Sequence, residues 1–262
     1  MVSTTTLDAL AEEMLGVFRE HQLIRRTDVE LASLSLDQAY AVQARVIAAR
    51  RATGEGPVGW KVGCTSRAIQ EQFGLTEPVR ARLMQPHVHP SGITLMADDF
   101  LGCAVEPELV LHIGHDIDPT DLSDEALASS ISGVSGGIEV HHYAFVHGAP
   151  TSQELIASNA IHGAVVLTEP ARPLGQVDLG LDGVGLWLNG RLAVSGIGAE
   201  VMGTGPLESL RWLVQNLART GERVVAGELV IPGSAVALVR VGAGNQVESR
   251  FTSFGSCSAA FT

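Results

Sequence analysis

The chain has 262 residues, 45% of them hydrophobic and 18% charged, and a formal net charge of −12. Such length and apolar content sustain a buried core, which excludes global disorder and suits one large domain or two small ones. The acidic balance, with no basic cluster, excludes nucleic acid and anionic membrane surfaces as partners. The 17 basic residues comprise 16 arginines and one lysine, Lys61. Codon usage is one reading of the arginine bias, which would make the surviving lysine a position where a flat guanidinium fails to substitute; chance is the other. Cys64, Cys103 and Cys257 form no CxxC pair, so neither a disulfide framework nor a thiolate zinc site is suggested, and a reducing cytoplasmic setting fits. Asp8, Glu12 and Glu13 precede the first arginine, Arg19, a pattern wrong for a signal or transit peptide. No apolar stretch is long enough to span a bilayer as a helix.

In chain order, Leu7, Leu10, Met14 and Phe18, then Tyr40, Val42, Val46 and Ile47, recur at helical spacing and predict helices across residues 4–52 with a turn near Ile24–Asp28. Residues 53–57, rich in glycine and ending in Pro57, break that pattern. Residues 1–55 therefore read as a helical segment packed on a body formed by residues 56–262 as one structural unit. Val58–Gly63 predicts a strand carrying Lys61, and Thr65–Phe73 a short helix closed by Gly74. Leu101–Ile113 predicts a long strand, Ser123–Ile131 a helix and Gly137–Phe145 a second strand. Asn189-Gly190 between Val184–Leu188 and Arg191–Ser195 is a type I′ hairpin signal. Pro206 opens a helix with Leu207, Leu210, Leu213 and Leu217 on one face and Gly221 past its end. Strands follow around Leu229–Ile231, Ala235–Arg240 and Gln246–Phe251. Strands and helices alternate too unevenly for a βαβ array, so the fold class reads as a mixed, mainly antiparallel α+β body.

Alternate residues of a strand share a face, which sets Glu106 and Glu108 together, about 7 Å apart. Like charges at that spacing need water or a cation, and a wet acidic face is the plain alternative. Glu139 interrupts a second apolar strand, where unpaired acids are rare. Three carboxylates from two strands supply half an octahedral shell, and all-oxygen ligation selects Mg2+ or Mn2+ over zinc. His141 lies on the Glu139 face by period two. As a ligand it would pull the preference toward Mn2+ or Fe2+; it reads instead as a hydrogen-bonded core or rim histidine.

Taken in order, Gly59-Trp60-Lys61-Val62-Gly63-Cys64-Thr65-Ser66, the Glu106 and Glu108 strand, the Glu139 strand, Asn159, the run Ser195…Gly198…Gly203…Pro206…Trp212, the Gly227…Gly233 strand and the ending Phe254…Phe261 form an ordered set. That set resembles the fumarylacetoacetate hydrolase superfamily, in its branch of 2-keto-4-pentenoate hydratases and 4-oxalocrotonate decarboxylases, from roughly residue 35 to the C-terminus. The resemblance implies a β-roll or barrel-like body, a homo-oligomer and Mg2+ or Mn2+ held by Glu106, Glu108 and Glu139. It also implies Lys61 as the charged catalytic group, with Gly63, Ser158 and Asn159 binding substrate. The reaction implied is hydration of a 2-hydroxydienoate or 2-oxo-enoate; decarboxylation or C–C hydrolysis of a related 2-oxo acid is the alternative, and an idle or repurposed relative a third. Ser158 stands where the branch carries an aspartate, so the general base is not identified. Glu77–Ala81 also departs from the branch; Arg80 and Arg82 would meet a second carboxylate on a larger or dianionic substrate, or belong to a solvated loop, and they read as the loop.

Two patterns lead elsewhere. Gly133-Val134-Ser135-Gly136-Gly137 matches GxSxG, but a nucleophile elbow needs a strand before the serine and a helix after it, and here the predicted order is reversed. His87 and His89, in a proline-rich loop, are candidate acid/base groups on a lid but read as simply exposed.

Overall fold

A computed structural model describes residues 2–21, 31–142, 150–169 and 171–262. The expected turn at Ile24–Asp28 and the last three residues of the expected strand Gly137–Phe145 lie outside them. Helices α1 (Thr4–Arg19) and α2 (Leu36–Ala52) start at Ser3 and Ser35, whose hydroxyls accept from backbone N–H groups of the first turn. Leu7, Leu10 and Met14 of α1 pack with Val42 and Val46 of α2, burying the stripe seen in the sequence.

The body holds two sheets. The larger is built from β1 (Pro57–Gly63), β2 (Val79–Met84), β3 (Val88–Pro90), β5 (Ala104–Ile113), β6 (Ile131–His141), β7 (His162–Leu167) and β10 (Leu229–Ile231), in the order β2-β1-β10-β5-β6-β7-β3. A two-residue strand, β11 (Val239–Arg240), also pairs with β5. The smaller sheet runs β4-β13-β12-β8-β9, from β4 (Ile93–Leu95), β8 (Gly183–Leu188), β9 (Arg191–Ile197), β12 (Gln246–Phe251) and β13 (Gly255–Phe261). Most ladders are antiparallel; β1 with β10, β3 with β7 and β4 with β13 are parallel. Short helices α3 (Arg67–Phe73), α4 (Asp124–Ser130) and α5 (Ser152–Ala157) and the longer α6 (Pro206–Ala218) complete the order. No helix among the described residues is long and apolar enough to cross a membrane.

The sheets share one core. Val105, Leu109 and Leu111 of β5, Ile138 and Val140 of β6 and Val166 of β7 face Val184, Leu186, Val247, Phe251 and Phe261 of the smaller sheet. Asn189 and Gly190 both take positive φ, 51° and 77°, as the predicted type I′ hairpin requires. Strand β6 begins at Ile131, six residues before the predicted start, because α4 stops at Ser130. Ser135 is therefore mid-strand and buried, which removes the nucleophile-elbow geometry outright.

A barrel-like closure is not found among the described residues. The larger sheet's edge strands, β2 and β3, are consecutive in the chain but joined by no ladder. β3 pairs with β7 through three residues only, Val88–Val165, His89–Val166 and Pro90–Leu167, and the chain then leaves for β4 of the smaller sheet, so the edge stays short and open. The architecture is a mixed α+β body with two open sheets.

Candidate active site

Alternation divides each strand of the larger sheet between the shared core and the opposite face. On β5 the residues turned away from the core are Glu106, Glu108 and Val110, and Val110 packs with Leu83, Val165 and Ile231 on that second face. Lys61 pairs with Ala81 of β2 and Ile231 of β10, and Glu106 pairs directly with Glu139 of β6. The second face thus gathers the chain's only lysine and three glutamates.

Their side chains meet. Lys61 Nζ lies 2.8 Å from Glu139 Oε1, and both side chains are buried. His162 Nδ1 is 2.7 Å from the same oxygen. His141 Nε2 is 2.9 Å from Glu106 Oε2 and 3.7 Å from Glu139 Oε2. Among the described residues, the carboxylates of Glu106 and Glu139 and the His141 imidazole offer ligand atoms within 4.8 Å of one another. Glu108 is outside that close group; it is buried, and its Oε2 has no hydrogen-bond partner. Glu106, 20% exposed, is the member that meets solvent, so a small molecule would arrive on its side.

His162 reaches this face through an irregularity. Val165 pairs with Glu139 and Ala164 with Val140, but His141 pairs with His162, leaving Gly163 as an extra residue. That bulge reverses the alternation and turns His162 to the Glu139 side. A side chain at Gly163 would come within 2.8 Å of the Phe100 ring and 3.0 Å of the Val140 carbonyl, so the bulge fits only glycine. Just upstream, Asn159, Ala160 and Ile161 all adopt left-handed backbone, with φ of 58°, 49° and 56°.

Burial would raise the Glu139 carboxyl, but the Lys61 ammonium, His141 and the His162 hydrogen bond together hold it well below the usual carboxylate range. Burial would likewise lower Lys61; Glu139 and Glu106 outweigh it and raise the ammonium's pKa. Glu108 is pushed well up by burial, and further by Glu139 and Glu106. Burial brings the His162 imidazole down to about 4, which keeps it neutral. These groups fit a divalent cation: two cross-strand carboxylates and an imidazole at ligand spacing, beside a buried carboxylate oxygen with no donor of its own.

The other residues singled out in the sequence fall as follows. Gly63 ends β1 beside Lys61; a Cβ there would stand 3.8 Å from Nζ. The buried Ser158 hydroxyl donates to the Leu155 carbonyl. The Asn159 amide accepts from Arg82 N–H and donates to the Arg82 carbonyl, both at 2.9 Å. Arg80 and Arg82 are not a solvated loop but part of β2, on the face away from Lys61. Arg80 is buried, bonded to Asn216 and paired with Glu222, and Arg82 is stacked on Trp60 and paired with Glu228. They line a cavity of about 600 Å³, together with Tyr40, Trp60 and Glu222. None of the carboxylate cluster borders it. His87 is half-buried against Glu55 at 3.3 Å, and His89 lies in β3. His162 escaped the sequence reading altogether, since period two places it with Ala164 and Val166 on the core side; the glycine after it was the one available signal of a bulge.

No family model matches the chain. It is 30% identical over 231 residues to a TodF product hydratase of Pseudomonas putida, covering 88% of this chain and 86% of that protein. A 2-keto-4-pentenoate hydratase of Paraburkholderia xenovorans is 29% identical over 229 residues, 87% of this chain and 84% of its own. Among solved structures, a 4-oxalocrotonate decarboxylase from Pseudomonas putida complexed with magnesium and adipate superposes with a TM-score of 0.94 at 25% identity, over 100% of this chain and 99% of that one. A fumarylpyruvate hydrolase from Pseudomonas aeruginosa, 17% identical, shares the fold over 78% of this chain and 89% of its own at a TM-score of 0.61. With Lys61, Glu106, Glu108 and Glu139 brought to one face of that fold, the chain belongs to the 2-keto-4-pentenoate hydratase and 4-oxalocrotonate decarboxylase branch of the fumarylacetoacetate hydrolase superfamily.

Proposed function

We propose that this chain is a divalent-metal-dependent lyase that hydrates a 2-hydroxydienoate or 2-oxo-enoate. The observation that carries the reading is a buried ammonium, Lys61, seated on Glu139, which stands cross-strand from Glu106 with Glu108 two residues along, in a chain of the hydratase branch. Glu106, Glu108 and Glu139 would hold Mg2+ or Mn2+, whose two charges offset the excess of carboxylate over ammonium. Magnesium accompanies the decarboxylase relative. When bound, such a cation supplies Lewis-acid polarisation of the substrate's 2-oxygen and an anchor for its C1 carboxylate.

The chain's own groups do the rest. Lys61 holds a proton at Nζ and donates a hydrogen bond to the C2 oxygen as that atom gains charge. Glu139 Oε1, shared with His162, keeps the ammonium aimed at the cluster. Gly63 leaves room beside Nζ for the substrate. Ser158 and Asn159 shape the substrate end from the β7 side, Asn159 by fixing β2 through Arg82. Ketonisation carries the enol proton to the distal carbon, and water then adds to the conjugated double bond. We place the protein in the cytoplasm as a homo-oligomer, a reading supported by its free cysteines and by exposed Leu192 and Ile197 on the unpaired edge of β9.

A panel of 2-hydroxydienoates followed by ultraviolet absorbance, with product analysis, tests the reaction. Loss of dienol absorbance with a 4-hydroxy-2-oxo acid as product is expected. The high TM-score to the decarboxylase favours CO2 release as the second reading, and CO2 from a dicarboxylic member of the panel would select it. Absence of any turnover would overturn both.

A further inference from the structure

We propose that the cleft between α2 and β2 is a second binding site, which takes a small monocarboxylate with an apolar body onto the guanidinium pair of Arg80 and Arg82, in place of Glu222. It lies on the other side of β2 from the carboxylate cluster and does not depend on the reaction proposed there.

The cleft encloses about 600 Å³, an ordinary volume for a small-molecule site. Ala81, the cross-strand partner of Lys61, faces the cluster, so Arg80 and Arg82 on either side of it turn the opposite way, into the cleft. Tyr40, Ala44, Ile47 and Ala48 of α2 add an apolar wall. Apolar lining with a few convergent charged groups is the composition that small-molecule sites share.

Each guanidinium is anchored by fixed partners. Arg80 Nε donates to Asn216 at 2.7 Å and its Nη2 to Thr220 at 3.2 Å, with the group over the Tyr40 ring. Arg82 Nη1 donates to Glu228 at 2.8 Å, and its guanidinium lies 3.2 Å from the centre of the Trp60 ring. Those contacts orient both groups and neutralise one of their two charges. Among the described residues, the other charge is met by Glu222, which turns one oxygen to each arginine: Oε2 is 3.1 Å from Arg80 Nη1 and Oε1 is 3.5 Å from Arg82 Nη2. A carboxylate bridging the pair is therefore already on display, and its tether limits it. Glu222 follows Gly221, whose φ is 74°, in the turn after α6, and its side chain is 39% exposed. The 3.5 Å contact is longer than the about 2.7–2.9 Å of a good charge-assisted hydrogen bond. A carboxylate free of the chain can close on both arginines at once, and its body brings apolar surface to cover the α2 wall.

Titration calorimetry of the full chain with benzoate, and with benzamide as its uncharged counterpart, tests the site. Glu222→Gln removes the competing carboxylate and is expected to bind benzoate at least about tenfold more tightly than the parent chain, the scale of one hydrogen bond to a charged group. Benzamide is expected to bind at least about tenfold more weakly than benzoate. Ala44→Phe, at an exposed helix position bordering the cleft, fills the space and is expected to abolish binding in both backgrounds. Equal benzoate affinity in the parent and Glu222→Gln overturns the proposal, as does equal affinity for benzamide. Binding that survives Ala44→Phe also overturns it, by placing benzoate elsewhere on the protein. If Glu222→Gln does not fold, the parent chain decides by the same benzamide and Ala44→Phe comparisons, and absence of benzoate binding there overturns the site.

Discussion

Glu139 Oε1 receives two donors, and the consequences of removing either differ. Lys61→Met leaves a buried carboxylate without its counter-ion, for which about 3–5 kcal/mol of stability is expected to be lost, read from urea denaturation. Lys61→Arg keeps the charge but not its shape. The Lys61 stem runs beside Gly63, and a broad guanidinium cannot concentrate its charge at one point there. A folded protein is expected, with turnover reduced by about 10²–10³, the usual cost of losing one oxyanion donor. Unchanged turnover would remove Lys61 from the mechanism. This residue was the most legible part of the site, because a lone lysine among arginines stands out by composition. Arg80 and Arg82 were not legible: alternating charged residues look like exposed chain, yet Tyr40 and Trp60 rings, Asn216, Glu222 and Glu228 enclose their guanidinium groups.

At the scale of elements, a strand read from its period yields a correct face only while the period holds. On β5 and β6 it does, and Glu106, Glu108 and Glu139 fall together as read. On β7 the bulge at Gly163 reverses it, and His162 arrives on the wrong side of any two-residue count. Gly163→Ala would force the Phe100 ring or the Val140 carbonyl aside. A loss of about 1–3 kcal/mol is expected from such overpacking, measured by chemical denaturation. An equally stable variant would show that the bulge adapts without cost. The three-residue strands β3 and β4 were illegible for a different reason: each holds too few residues to display an alternation, and each is set by a parallel partner distant in sequence, Val88 to Val165 and Ile93 to Ala259.

At the scale of the molecule, the larger sheet stays open where the three-residue β3 hands the chain on to the smaller sheet, yet one side chain still ties the two sides of the larger sheet. Asn159, which precedes β7, binds both backbone groups of Arg82 in β2, doing with an amide what a neighbouring strand would do with its backbone. Asn159→Ala is expected to cost about 2–3 kcal/mol, from two hydrogen bonds lost and two backbone groups left without partners. Faster hydrogen exchange at the Arg82 amide, out of proportion to that at β6, would locate the effect at the strap; uniform change would refute it. The lone lysine carries a consequence beyond catalysis. Because every other basic side chain is an arginine, an acylating reagent meets one ε-amine in the entire chain, and that amine is closed off beneath the sheet face. The rate at which that ε-amine is acylated, told apart from the α-amine by peptide mass, therefore times the opening of the centre itself, with no engineered label.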